Sequence, residues 1–447
     1  MISFTDDQRL LAAAVRDALA KSCPPEAVRA ARIDPAARRG EPWRALAALG
    51  LLGAHVPEEH GGLGLTPMDT VLAFEEIGRA AAPGPIVETA VAAPVLLRAA
   101  GREEAAGWLP KIADGRAAVS VRTEDVPFLL DADIADLLIV QCGDRAAMTV
   151  TPMTVTPLTV TPLTVTAMTV PEAVTLTPRP SADPARRLFE DDLDVAAGRH
   201  AGVPTGAFEH AFRRAFDHAA LAVAAQLLGA ARHLLDAAVA YAKQRHQFGR
   251  PIGSFQAVKH QLADVAVAVE FAAPTVYGAA AALTETAPAE AMLEAVLARD
   301  LSGGVPTGGV STSDLSTSGG STSDPSTSDL STSGVLTSDQ LTSGVLTSDR
   351  LTSGVLAGDR LAGGAPTVSR DVSAASRDVS AAKVAAAAAA HRAARTALQV
   401  HGAIGYTEEL DLHLWLARVW ALRTAWGDDR LHRARLRRAL LGPARGR

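Results

Sequence analysis

Hydrophobic residues recur at helical spacing along most of this chain, and the exceptions divide it. Residues 1–116 read as helices separated by turn signals. "VPEEHGGLG" (56–64) is a Gly-rich loop, and "MDTVLAFEEIGRAAAPGP" is a helix stopped at Pro83-Gly84. Between 117 and 195 the pattern shortens: "AAVSV" and "ADLLIVQC" are apolar runs of strand length. From 149 to 170 a five-residue unit repeats as "TVTPM TVTPL TVTPL TVTAM TV". Proline at every fifth position removes a ladder donor, so an edge ribbon or an extended tract is expected there, not a central strand.

Helical periodicity returns from about 207 to 283. In "QRHQFGRPIGSFQAVKHQLADV" (244–265) a Phe-Gly turn flanked by arginines runs into a helix expected to start at Ser254, a good N-cap residue. Phe255, Val258, Leu262, Val265 and Val269 then fall on one face, while Lys259, His260, Asp264 and Glu270 mostly avoid it. Pro274 is expected to kink this helix. Residues 301–364 are a Ser/Thr/Gly/Asp repeat with too little apolar surface to offset an ordering entropy of roughly 1–2 kcal/mol per residue, so a disordered insert is expected at about 302–368. "SRDVSAASRDVSAA" leads from it into the helix "KVAAAAAAHRAARTALQVHG". Further on, "LDLHLWLA" alternates like a strand.

Composition narrows the function. An apolar, Ala-rich chain of 447 residues with 4% aromatics suits closely packed helices. A net charge of −6 implies no nucleic-acid footprint and no membrane-surface patch. Cys23 and Cys142 make neither a disulfide framework nor a metal site. The acidic start lacks the pattern of a signal peptide, and no uninterrupted apolar run reaches the ~20 residues that span a bilayer. A cytoplasmic protein without membrane or nucleic-acid partners is expected.

Three segments carry a resemblance. "PEEHGGLG", "QRHQFGRPIGSFQAVKHQLADV" and "LQVHGAIGYTEELDLHLWLARVWALRTAWGDD" occur in the order and character seen in acyl-CoA dehydrogenases. The chain resembles the shorter actinobacterial-type members, including those acting on fatty or steroid side-chain acyl-CoA thioesters. The resemblance covers most of residues 1–120, 185–283 and 383–438. It implies a mainly α fold with a small β domain: an N-terminal α-helical domain (1–116), a truncated middle β-domain with the TVTPL repeat (117–195), and a C-terminal four-helix bundle interrupted by the insert (196–447). For "LDLHLWLA" it implies a helix despite the local alternation.

The resemblance also implies FAD shared across a subunit interface. Arg245 matches the arginine reaching the flavin pyrophosphate, a role suited to a guanidinium fork. Phe248 matches the aromatic beside the adenine, Gln256 a nearby nucleotide contact, and Gln399 with Gly402 the loop at the other end, where Ala403 replaces a second glycine. Implied partners are an acyl-CoA substrate, a homodimer or tetramer or a heterotetramer with a homologous subunit, and an electron-transfer-flavoprotein-type acceptor. Family members abstract the acyl α-proton with a carboxylate. Here Trp426-Gly427 stands where one such base is expected, and Ala219-Ala220 where the other is. Asp217, Glu408, Glu409 and Asp428 are the nearby carboxylates, with Glu408 and Glu409 suited to capping the following helix. The family's flavin-covering loops are missing or eroded in the middle domain. Two functions are therefore implied: α,β-dehydrogenation of an acyl-CoA thioester, or a catalytically silent subunit contributing half of a shared FAD site. A decayed homologue without ligand is the remaining alternative.

Overall fold

Caps and prolines set most of the helix starts. Thr5 accepts from the Gln8 amide, and the Gln8 side chain accepts from the Thr5 N–H, which opens α1 (Asp6–Ser22). Pro25 starts α2 (Pro25–Ile33), and Thr66 with Asp69 caps α4 (Pro67–Arg79), after α3 (Glu41–Ala48). Helices α5 (Ala93–Ala100) and α6 (Arg102–Ala113) complete the first helical region. The protein is described by a computed structural model that covers residues 2–142, 145–150, 159–160, 174–191, 205–302 and 368–442.

A small β region follows. Strand β1 (Val119–Arg122) pairs in parallel with β3 (Leu137–Cys142), which pairs antiparallel with β4 (Arg145–Val150). A second, antiparallel sheet runs in the order β2 (Leu129–Leu130), β7 (Leu188–Asp191), β6 (Val174–Arg179), β5 (Thr159–Val160). Thr159–Val160, the described part of the TVTPL repeat beyond Val150, lies at the edge of this sheet, as its prolines demand. Arg38 ties the region to the first helices. Its fully buried guanidinium donates to Asp131 at 2.5 Å and to both oxygens of Asp133 at 2.8 and 2.5 Å.

The bundle consists of α7 (Thr205–Gln244), α8 (Gln256–Ser302), α9 (Val368–His401), α10 (Leu412–Thr424) and α11 (Asp429–Leu441). The fold is thus mainly α with a small β region. From Leu412 on, "LDLHLWLA" is the first part of α10. It is buried from Leu412 through Val419 apart from the half-buried His413, so it shows no polar stripe and its alternation carried no information. Val258, Leu262, Val265 and Val269 do face inward from α8.

Two expectations, the start of α8 and the place of the second repeat, need correction, and two others gain detail. Ser254 closes a short 3₁₀ turn (Ile252–Ser254) with its hydroxyl unbonded, and α8 begins at Gln256, because Ile252 accepts from the Phe255 amide first. The helix continues through Pro274, whose ring lies on the exposed side. The segment Gln256–Thr286 is long and apolar enough to cross a membrane, yet one face packs in the core and the other carries Lys259, Asp264 and Glu270. Finally, "SRDVSAASRDVSAA" does not merely precede α9 but forms its first turns. A seven-residue unit spans about two helical turns, which stacks Ala375, Val379 and Ala382 on the buried side. The expected insert lies outside the described residues, apart from the helix ends at Ser302 and Val368.

Helices α4 and α7 cross through two glycines. A Cβ on Gly78 would stand 2.0 Å from the Gln226 carbonyl oxygen, and one on Gly229 1.8 Å from that of Glu75. Gly78→Ala and Gly229→Ala are each expected to lose about 3 kcal/mol or more in urea unfolding, the upper range for overpacking. Gly107→Ala on α6, where a Cβ meets nothing within 4 Å, should instead be neutral or gain up to about 1 kcal/mol.

Candidate functional site

The first candidate surface is built at the end of α7. Strands β8 (His246–Gln247) and β9 (Arg250–Pro251) pair around a two-residue turn, Phe248-Gly249. Both residues have positive φ, 51° and 79°, the backbone that matches strand twist in the tightest hairpins. Glycine adopts it freely; phenylalanine is strained there. Phe248 is 91% exposed, edge-on to Phe255, whose face is covered by the Arg250 guanidinium at 4.2 Å. Arg245 is exposed, and its guanidinium has no ion pair or hydrogen bond among the described residues; Gln256 is exposed at the start of α8.

Gln399 lies exposed near the end of α9, and Gly402, at φ 64°, starts the turn Gly402–Tyr406. The Tyr241 ring stacks on His401 at 4.3 Å, which brings the root of the hairpin and the Gly402 turn to one end of the bundle. Ala403 is exposed and has no positive φ, so its side chain strains nothing. An exposed guanidinium, an exposed aromatic and two carboxamides at one bundle end fit the adenosine-diphosphate half of a dinucleotide.

The second candidate is a cavity of about 460 Å³ between the β region and the turn joining α10 to α11. Its lining includes Glu88, Val121, Phe128, Leu130, Arg186 and Trp426. Trp426 is fully buried at φ 52°, and its indole N–H donates to Glu88 Oε1 at 3.0 Å. Lys383, in the middle of α9, is also fully buried. Its ammonium donates to the carbonyls of Leu422, Arg423 and Gly427 at 3.2, 3.1 and 3.0 Å, so one side chain satisfies the end of α10 and the turn together. Burial pushes Lys383 down to about 7. The Trp426 carbonyl only accepts, so His432 Nε2, 2.9 Å away, carries the proton; burial, with Lys383 nearby, lowers this imidazole to about 3.

The position where the resemblance expects a base is closed. A Cβ on Gly427, at φ 94°, would meet His432 Nε2 at 2.7 Å, Leu431 at 2.8 Å and Phe216 at 3.0 Å. A glutamate cannot be restored there without repacking, contrary to what the sequence position suggests. Ala219 and Ala220 are fully buried on α7. Asp217 is buried as well, engaged by the Ser376 hydroxyl and by Arg435, and desolvation raises its pKa. Glu408 and Glu409 are exposed on the turn before α10, and none of these three carboxylates lines the cavity. Asp428 lines it, but its carboxylate caps α11 through the Leu431 amide. Sequence reasoning passed over Glu88 and Lys383. Both had a signal: each is the single charge in a long apolar run, "PIVETAVAAPVLL" and "KVAAAAAA".

A helical N-terminal region, a small β region and a helical bundle define the class of fold. Comparison narrows the class. Residues 5–116 match the model of the acyl-CoA dehydrogenase N-terminal domain, and residues 209–298 and 358–441 that of the C-terminal domain. The chain belongs to the acyl-CoA dehydrogenase family. It is 33% identical over 289 residues to the acyl-CoA dehydrogenase IpdE2 of Mycolicibacterium smegmatis, covering 64% of this chain and 80% of that one. Among solved structures it resembles the Tcur3481-Tcur3483 steroid ACAD (TM-score 0.62, 20% identity, 98% of each chain). It also resembles the ChsE4-ChsE5 complex of Mycobacterium tuberculosis (TM-score 0.61, 19% identity, 99% of each chain). At these identities the structures speak to the fold alone.

Two outcomes test the turn. Lys383 has a folded pKa of about 7 against an ordinary 10.5, so the folded state binds fewer protons than the unfolded state between those values. Stability should therefore rise with pH from about 7 to 10.5, with the full burial penalty present below 7. Lys383→Met should abolish this dependence in denaturant titrations run across the window. Gly427→Glu should lose several kcal/mol of stability, roughly the range seen for strained or overpacked sites, and gain no dehydrogenase activity.

Proposed function

We propose that this chain is a non-catalytic subunit of a heteromeric acyl-CoA dehydrogenase, supplying half of a flavin site that a homologous subunit completes. One observation carries the reading: where a catalytic carboxylate is expected, Trp426 is buried in full and Gly427 has no room for a side chain. The exposed hairpin supports it, because a strained, solvent-facing phenylalanine and an unpaired guanidinium suit a ligand held between subunits. Two of the similar structures, ChsE4-ChsE5 and Tcur3481-Tcur3483, are each named for a pair of proteins, which agrees with such pairing.

In this reading Arg245 holds the FAD pyrophosphate by charge-assisted hydrogen bonds, Phe248 flanks the adenine, and Gln256, Gln399 and the Gly402 turn complete the nucleotide half. Bound flavin supplies the hydride acceptor. The proton-abstracting base belongs to the partner subunit. An electron-transfer-flavoprotein-type protein would serve as the electron acceptor, and the complex works in the cytoplasm on fatty or steroid side-chain thioesters. The second reading, dehydrogenation by this chain alone, draws on Glu88, a carboxyl buried in the cavity lining.

Absorbance spectroscopy separates them. The purified chain should retain little flavin, and co-expression with a homologous subunit should yield a flavin spectrum that bleaches on addition of an acyl-CoA. Arg245→Ala in that complex should weaken flavin retention by about tenfold or more, from loss of a hydrogen bond to a charged group. Rapid bleaching by the homomeric chain would reject the silent-subunit reading.

A further inference from the structure

Helix α8 is apolar on two faces. Val258, Leu262, Val265, Val269 and Val276 pack in the core. A second stripe, Ala263, Val267, Phe271 and Pro274, faces out. Val267 is 55% exposed and Phe271 77%. A helix apolar on every side is normally covered on every side. The outward residues recur three and four apart, the spacing of a seam between helices, and the small Ala263 admits a close approach.

Charges decide what covers the stripe. Lys259 and His260 lie toward one end, Asp264 beside the middle and Glu270 toward the other end, all exposed. Charges spread along the whole stripe exclude hydrocarbon as its cover. They suit a second α8. Where two copies pack this helix antiparallel about a two-fold axis near Val265, positions about equally far on either side of that residue meet. Val267 then fits against the small Ala263, Phe271 against His260, and Lys259 against Glu270, each contact occurring twice. In its own chain Glu270 has Arg232 at 3.8 Å, but that guanidinium is held more closely by Glu75, at 2.8 Å. Asp264 approaches its own copy near the axis, and Arg392, 4.0 Å from it in the same chain, supplies the opposing charge.

We propose that α8 is the interface between two copies of this chain, packed antiparallel through Ala263, Val267 and Phe271, with Lys259 and Glu270 setting the register. This goes beyond the reading above by placing two copies of this chain in the heteromer. The pair needs neither flavin nor the homologous subunit, so it can fail while that reading stands, and the reverse.

Sedimentation equilibrium of the purified full chain tests it. The chain should be a dimer at micromolar concentration. Phe271→Glu, at an exposed site, should leave the far-UV circular dichroism unchanged and weaken self-association by about thirtyfold or more, as for an aromatic anchor. Glu270→Lys should weaken it about tenfold by opposing like charges. Adding Lys259→Glu to that variant should restore the dimer, because the pair is then reversed rather than removed. A chain that stays monomeric, whether or not it binds a homologous subunit or phospholipid vesicles, would overturn the proposal. So would a dimer indifferent to Phe271→Glu, or a loss with Glu270→Lys that the double variant does not restore.

Discussion

The contact of α4 and α7 through Gly78 and Gly229 is the constraint from which the rest of this architecture follows. Each position admits no Cβ, because the backbone of the opposite helix occupies the space. At so short an approach the two helices cannot slide or roll, and side chains flanking the crossing find fixed partners: Glu75 meets Arg232 and the Tyr277 hydroxyl. What lies beyond inherits that register. Leaving the crossing, α4 leads to the turn that presents Glu88, and the carbonyl of Arg79, at its end, accepts from the Trp415 indole on α10. In the other direction α7 runs on to the Phe248 hairpin. Both candidate sites are thus positioned from one junction.

Packing by small residues has an electrostatic consequence. Alanine-rich helices that approach closely leave few aromatic or long aliphatic side chains to fill the ends, and here long polar side chains serve instead. Arg38, Lys383 and Arg418 are all essentially buried, and each donates to carboxylates or backbone carbonyls that would otherwise be orphaned. Arg418 joins Asp183 of the β region to the carbonyl of Ala82 after α4, while Lys383 closes the α10–α11 turn. Breaking a buried pair by removing one partner is far more damaging than its net contribution suggests, because the remaining group stays buried and unpaired. These charges act as fixed points between elements whose apolar contacts alone are too uniform to specify a single arrangement.

That uniformity also decides what could be read from the sequence. The helical regions, the small β region and the order of the motifs were legible, since each depends on local periodicity or on turn residues. The Gly402 turn and the Phe-Gly hairpin were legible for the same reason. What escaped was of another kind. Gly78 and Gly229 look like ordinary helix-weakening residues until the two are seen to face each other's helix backbone. Lys383 and Glu88 look like solvated charges unless their apolar flanks are taken as evidence of burial. The alternation in "LDLHLWLA" misleads because a helix buried on nearly every side has no polar stripe to report its period. Gly427 stands where the resemblance expects a carboxylate, and only the neighbouring His432, Leu431 and Phe216 reveal the lack of room for a side chain.

The two sites then differ in a way that bears on how the chain functions. At the α10–α11 turn every strained residue is tied down: Trp426, at positive φ, has its indole on Glu88 and its carbonyl on His432, and Gly427 has its carbonyl on Lys383. Local forces account for that conformation in full. At the hairpin, Phe248 has the same unfavourable backbone sign, on the order of 1–3 kcal/mol of strain for a residue with a side chain, but only an edge contact with Phe255 in return and 91% of its surface in water. Strain held without compensation inside the chain points to compensation outside it. A ring presented in this way keeps its apolar surface in water, and burying that surface is what would offset the strain. The interior turn is held by its own contacts; the hairpin has only the Phe255 edge among the described residues.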